Sequence, residues 1–158
     1  MSMSPEVNSC VLLADRHHGL TEGVRSLLAT SFDTVVMVAD EASLFATIGR
    51  LQPALAVVDL SLHQGEGFRW LQRLRSANAG LRLIVLSVHD EPSVHRAALE
   101  AGADAFVPKR AVGTDLLPAV DAVLAKEPTT LPERLEPRER ASTIQQTNAG
   151  NKDTRTAK

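Results

Sequence analysis

Apolar residues along this chain fall into two alternating patterns. Short, nearly unbroken apolar runs occupy residues 10–15, 34–38, 54–59, 82–87 and 105–107. They are rich in Val, Leu and Ile, the composition of parallel strands covered on both faces. Between them, apolar residues recur every three or four positions, the signature of amphipathic helices. Leu20, Val24, Leu27 and Leu28 make the first stripe, and Leu44, Phe45, Ile48 and Leu51 the second. Phe68, Leu71 and Leu74 form a third, with Trp70 beside it. Val94, Ala97, Ala98 and Ala101 make a fourth, stopped by Gly102 where a left-handed cap residue is wanted. Leu116, Leu117, Val120, Val123 and Leu124 supply a fifth, ending near Lys126 and Pro128. Pro118 is expected in the first turn of that last helix, where its missing N–H costs least. Five βα repeats with right-handed crossovers predict an α/β fold, a doubly wound five-stranded parallel sheet of order 2-1-3-4-5.

Composition adds bounds. With 158 residues, the chain is about one domain's worth and long enough to bury a core without disulfides or metals. It is 44% hydrophobic and 23% charged, an ordinary globular balance, and its net charge of −2 gives no global attraction to nucleic acid or membrane. The lone Cys10 excludes an intramolecular disulfide, fits a reducing compartment, and is expected to be a small buried residue of the first strand. No apolar run approaches a membrane span and no signal peptide opens the chain, so a cytoplasmic protein without a membrane partner is expected. From Glu127 onward Thr, Pro, Gln, Asn, Arg and Lys dominate, and after Ala141 only Ile144 is large and apolar. Residues 127–158 therefore read as a linker and disordered tail after a domain at 8–126.

The chemistry lies where the apolar runs end. Val11-Leu12-Leu13-Ala14 ends in Asp15, and Ala54-Leu55-Ala56-Val57-Val58 ends in Asp59. A third run ends in Ser87 and a fourth in Lys109. In a sheet of this order the crevice opens between strands one and three, at their carboxyl ends. Two acids, a hydroxyl and an ammonium suit Mg²⁺-assisted phosphoryl transfer, in which a carboxylate is the nucleophile. The ammonium and hydroxyl would bind the phosphoryl oxygens. Taken singly, a strand-end Asp or Lys is more often a solvated turn residue, Ser87 a helix cap for the segment from Glu91, and Phe106 plain core. His17, His18, His63 and His89 map to the rim of the same pocket, and solvated rim histidines are favoured over a transition-metal site.

The ordered motifs resemble those of receiver domains of bacterial two-component response regulators, most like the NarL/FixJ class, with a flavodoxin-like (βα)₅ fold. They are Val11 to Asp15 with His17, Val57-Val58-Asp59-Leu60-Ser61-Leu62, Ile84-Val85-Leu86-Ser87 with His89-Asp90, and Gly102 to Lys109. The resemblance implies Asp59 as phosphoacceptor, Asp15 as a metal ligand, and the Ser61 backbone carbonyl completing a Mg²⁺ site. It implies Lys109 as the phosphate-pairing lysine, and Ser87 with Phe106 as a switch pair whose ring turns inward behind the moving hydroxyl. The implied partners are a histidine kinase and a downstream protein or a second copy of the chain. The expected role is that of a stoichiometric phosphoacceptor and not a turnover enzyme.

Two departures qualify the resemblance. The paired acids usual after the first strand are here Asp15-Arg16, a change of two formal charges and the loss of an oxygen ligand. Asp15 could bind the metal alone and more weakly, Arg16 could replace part of the cation's work, or Arg16 could point outward. The expectation is that phosphorylation persists but needs more Mg²⁺ than usual. Second, Leu135-Glu136-Pro137-Arg138-Glu139-Arg140 resembles the opening of a LuxR-type helix-turn-helix. The polar residues from Ala141 onward supply neither the core nor the recognition helix needed to read DNA. The tail's six cations are nearly balanced by five acids, so DNA binding is not expected. Alternatives are a phosphorylation-independent docking module of the same shape, favoured by Arg16, and a transcriptional regulator lacking its DNA-binding half.

Overall fold

A computed structural model describes residues 10–65 and 67–126 of the chain. Strands and helices alternate through them: β1 (Cys10–Ala14), α1 (His18–Leu28), β2 (Thr34–Val38), α2 (Glu41–Leu51), β3 (Leu55–Asp59), α3 (Arg69–Ala77), β4 (Arg82–Ser87), α4 (Pro92–Glu100), β5 (Ala105–Pro108) and α5 (Val112–Ala125). The five strands are all parallel and ordered β2-β1-β3-β4-β5, the doubly wound arrangement predicted. The side chains of His18 and Leu20, residues 8 and 9, and all of 127–158 with its 135–140 motif lie outside the described residues.

Alternation along each central strand splits the core in two. Leu12, Ala14, Ala56, Val58, Leu83 and Val85 face one way, against Leu44 and Ile48 of α2, Trp70, Leu71 and Leu74 of α3, and Ala98 of α4. Val11, Leu13, Leu55, Val57, Ile84 and Leu86 face the other, against Val24 and Leu28 of α1 and Leu116, Val120 and Val123 of α5. Both faces of β1, β3 and β4 are therefore dry, which explains their unbroken apolarity. The outer strands are not fully covered. β2 and β5 are edges, their residues are mostly half-buried, and Pro108 sits on an edge strand, where sheets tolerate proline.

Several local expectations are corrected. Trp70 does not lie beside the third stripe; it is fully buried within it, whereas Phe68 precedes the helix and is half-buried. Leu51 is 41% exposed, and Cys10 is half-buried, with burial pushing its thiol pKa up. The last helix starts at Val112, so Pro118 lies inside it and not in its first turn. There it leaves the Thr114 carbonyl without an i→i+4 donor.

Side chains close the helix ends. The Asp40 carboxylate accepts from the Ser43 N–H at 2.7 Å and starts α2. Arg82 reaches from β4 to the last turn of α5, donating to the Val123 carbonyl (3.1 Å) and the Lys126 carbonyl (2.7 Å). Arg75 of α3 donates to the carbonyls of Gly102 (2.9 Å) and Ala79 (3.1 Å) and to the Asp104 carboxylate (2.8 Å). Asp104 Oδ2 also takes the Leu83 N–H at 2.9 Å, so one ion pair ties α3, the turn after α4 and the start of β4. Gly102 has φ +121°, and a Cβ there would come within 2.9 Å of Arg75 Cβ and Cγ. The close approach and the backbone conformation both call for glycine.

Candidate functional site

Strand register assembles the site. Ala14 pairs with Val58, so Asp15 and Asp59, one step further on, come level at the carboxyl edge of the sheet. Ser87 pairs with Pro108, which puts Lys109 one step beyond on the far side. Asp15, Asp59, Ser87 and Lys109 are all at least nine-tenths buried. Charged groups this deep must find partners or neutralise.

Lys109 Nζ stands 3.1 Å from Asp15 Oδ2 and 3.1 Å from Asp59 Oδ2. Asp15 Oδ1 accepts the His17 backbone N–H at 2.8 Å. Its Oδ2, close to Lys109 though not aligned with it for a hydrogen bond, is a fully buried oxygen without a hydrogen-bond donor. Asp59 Oδ2 accepts the Ser61 hydroxyl. Burial alone would raise the Asp59 pKa. The Ser61 hydroxyl and the Lys109 ammonium outweigh that burial and hold it below the usual carboxylate range.

These residues fit a metal ion. Asp15, Asp59 and His17 bring one donor atom each within 4.8 Å of one another. The two buried acids outnumber their one buried ammonium, and the orphaned Asp15 oxygen is the hard ligand that Mg²⁺-like cations take. The third expected ligand is already engaged. Arg16 turns its exposed guanidinium along the rim, with Nη1 3.5 Å from the Ser61 carbonyl oxygen. The Gln64 amide, oriented by its hydrogen bonds, presents Oε1 to the same guanidinium, 3.0 Å from Nη2.

Ser87 is no helix cap, since α4 begins on Pro92 after Glu91. Its Oγ accepts the His89 N–H at 2.9 Å, and among the described residues nothing accepts its own proton. Phe106 is half-buried, with its ring stacked on His95 of α4 at 4.8 Å. Arg110 donates to the Asp90 carboxylate at 2.8 Å, joining the loop after β4 to the turn after β5 and lowering the Asp90 pKa.

The rim histidines differ among themselves. The His17 side chain is 59% exposed, 3.5 Å from Asp15 and 3.6 Å from Asp59. His63 is half-buried and not merely solvated. Its Nδ1 is 2.7 Å from Glu41 Oε1, and its ring stacks on Trp70 at 5.5 Å. A cleft of about 260 Å³ opens over Asp59 and Lys109, lined also by His17, Ser61, His63, Ser87, Val88 and His89. A larger concavity between Ile48, Pro53 and Leu81 lies at the opposite, amino ends of the strands and holds no acid, base or nucleophile.

Gln64, His95 and the Ser61 hydroxyl escaped the sequence reading. Only the hydroxyl left a signal, two residues after a strand-end acid. The contacts of Gln64 and His95 depend on loop and helix placement that periodicity does not encode.

Comparison with known proteins agrees with the geometry. Residues 11–121 match the family model described as the response regulator receiver domain. The nitrate/nitrite response regulator protein NarL of Escherichia coli K12 is 34% identical over 139 residues, which cover 85% of this chain and 63% of that protein. The response regulator MprA of Mycobacterium leprae is 28% identical over 73% of this chain and 51% of its own length. A crystal structure of a LuxR-family two-component response regulator from Aurantimonas superposes with TM-score 0.68 at 25% identity, covering 85% of this chain and 99% of that one. The chain thus spans about half to two thirds of the length of the curated relatives it matches. Among the described residues, no helix is long and apolar enough to cross a membrane.

Proposed function

The chain belongs to the response regulator receiver domain family of two-component signalling, and from that premise we propose that Asp59 is the residue that carries the phosphoryl group. The observation that carries this reading is a buried, ionised Asp59 beside Lys109 at the floor of a cleft. An Asp59 carboxylate oxygen attacks phosphorus and forms the new P–O bond. The bond from phosphorus to the donor breaks, and its electron pair leaves on the donor, an imidazole when a histidine kinase delivers the group. Lys109 pairs with a phosphoryl oxygen as a point charge, and Ser87 has a proton free to donate to another. Asp15, Asp59 and the Ser61 carbonyl are the groups that would hold Mg²⁺, which when bound neutralises charge on the transferring group.

The product replaces the single Asp59 carboxylate charge with a phosphoryl group of about −2 and three acceptor oxygens in a buried corner of the sheet, a change that draws Ser87 inward and frees the Phe106 ring to follow. The output is a changed surface around α4, β5 and α5, read by a protein partner or a second copy of the chain, in the cytoplasm. Each chain is modified once per signal and does not turn over substrate as an enzyme does. A docking module indifferent to phosphate is not favoured, since Asp59, Ser87 and Lys109 converge on one cleft.

Incubation with acetyl phosphate and then intact-mass measurement tests the assignment. One added phosphoryl group is expected on the native chain and none on Asp59→Asn. Equal labelling of both would move the acceptor elsewhere.

A further inference from the structure

Resting on the reading of this cleft as a phosphoacceptor site that takes a divalent ion, we propose that the His17 imidazole is a further ligand of that ion. The site then prefers a first-row transition ion such as Mn²⁺ to Mg²⁺. His17 Nδ1 stands 3.5 Å from Asp15 Oδ1 and 3.6 Å from Asp59 Oδ2, without a hydrogen bond to either. Donors that share one cation at bond lengths near 2.1 Å stand about 3 Å apart. The observed triangle is wider than that by roughly half an ångström. Its one exposed corner, the His17 side chain, can close the gap by a small turn toward the two buried acids.

The surroundings single out this ring. The His17 backbone N–H donates to Asp15 Oδ1 at 2.8 Å, which ties the residue to the acid it would ligate beside. His63 lines the same cleft, but its ring is already committed to Glu41 and Trp70. Asp15 Oδ2, fully buried and without a hydrogen-bond donor, is an independent sign that this corner is built for a cation. Position 16 supplies the chemical reason for a nitrogen donor. Arg16 brings no oxygen ligand and adds positive charge to the rim, with its guanidinium toward the Ser61 carbonyl and Gln64. Mg²⁺ is held by charge and by oxygen ligands, and it loses on both counts. Imidazole is neutral and binds by donating an electron pair, a bond that first-row transition ions form far better than Mg²⁺. Arginine at position 16 therefore weakens Mg²⁺ more than it weakens an ion that His17 can hold.

Coordination can be read directly, without phosphoryl transfer. The experiment loads the native full-length chain, His17→Ala and His63→Ala with Mn²⁺ and records pulsed electron paramagnetic resonance for coupling to a directly bound imidazole nitrogen. Each chain is also titrated with MnCl₂ and with MgCl₂ by calorimetry. His17→Ala keeps the backbone N–H that holds Asp15, so only the ring is lost. Nitrogen coupling is expected in the native chain and in His63→Ala, and none in His17→Ala. Loss of the ring should weaken Mn²⁺ at least about fivefold and Mg²⁺ by less than about twofold. Mn²⁺ bound without nitrogen coupling, or equally well by the native chain and His17→Ala, overturns the role of His17 and leaves the two acids as a metal site. Coupling that persists in His17→Ala and disappears in His63→Ala overturns it as well. Failure of the native chain to bind either ion overturns the metal site together with His17. Acetyl phosphate labelling of the same samples reports separately on Asp59 as acceptor.

Discussion

Lys109 Nζ lies 3.1 Å from Asp59 Oδ2 with both side chains buried, and the same ammonium is equally close to Asp15. Removing it strands two carboxylates in a dry corner of the sheet. The Lys109→Met chain is expected to lose about 3 kcal/mol of stability in urea at neutral pH. Acetyl phosphate labelling at Asp59 should fall at least about tenfold. An unchanged urea midpoint would mean the acids are already protonated.

The depressed pKa of Asp59 sets the direction of an acid effect. Above the unfolded carboxyl value, near 3.9, its ionised form favours the native state. That contribution is lost as pH falls through the still lower folded-state value. The native chain should therefore show a steep loss of stability below about pH 4 that Asp59→Asn lacks. Parallel acid-unfolding curves for the two chains would refute the assignment of the shift.

Arg75 and Asp104 join three elements through partly buried, charge-assisted hydrogen bonds. Arg75→Met is expected to cost about 2 kcal/mol, since it leaves partly buried carbonyls without a donor and the Asp104 carboxylate with only the Leu83 N–H. Gly102→Ala should cost a comparable amount, through a left-handed backbone and a 2.9 Å clash with that same arginine. Neither change touches the cleft, so phosphoryl labelling at low temperature should proceed at the native rate.

The stack of His95 on Phe106 couples α4 to β5. A double-mutant cycle of His95→Ala and Phe106→Leu should give a coupling of about 1 kcal/mol in the resting chain. It should vanish in the phosphorylated chain, where the ring has moved away. Equal coupling in both forms would argue against Phe106 as a moving part.

Much of this architecture was legible because a doubly wound sheet writes itself as alternating periods. Apolar runs with both faces dry marked β1, β3 and β4, and strand-end acids marked the crevice. Less legible were features set by contacts distant in sequence. Arg16 and Ser61 are 45 residues apart, and no period tells a guanidinium which loop to face. Trp70 reads as peripheral in the sequence because Phe68, Leu71 and Leu74 share a three-residue spacing, whereas Phe68 precedes α3 and the buried face is Trp70, Leu71 and Leu74. Pro118 misled for a related reason, since a short 3₁₀ turn from Lys109 lets α5 begin sooner than its apolar residues suggest.

The Asp90–Arg110 pair has a mechanical consequence. It is an exposed bond between the loop after Ser87 and the turn after Lys109, two segments that border the cleft over Asp59. Surface ion pairs weaken as salt shortens the Debye length from about 10 Å at 0.1 M to about 3 Å at 1 M. The pair is therefore expected to hold the two segments together more firmly in dilute buffer than in concentrated salt. The stiffness of the cleft's roof thus becomes a property of the solvent as well as of the chain. Amide exchange at Val88 that rises with salt in the native chain, and not in Arg110→Gln, would register that loosening.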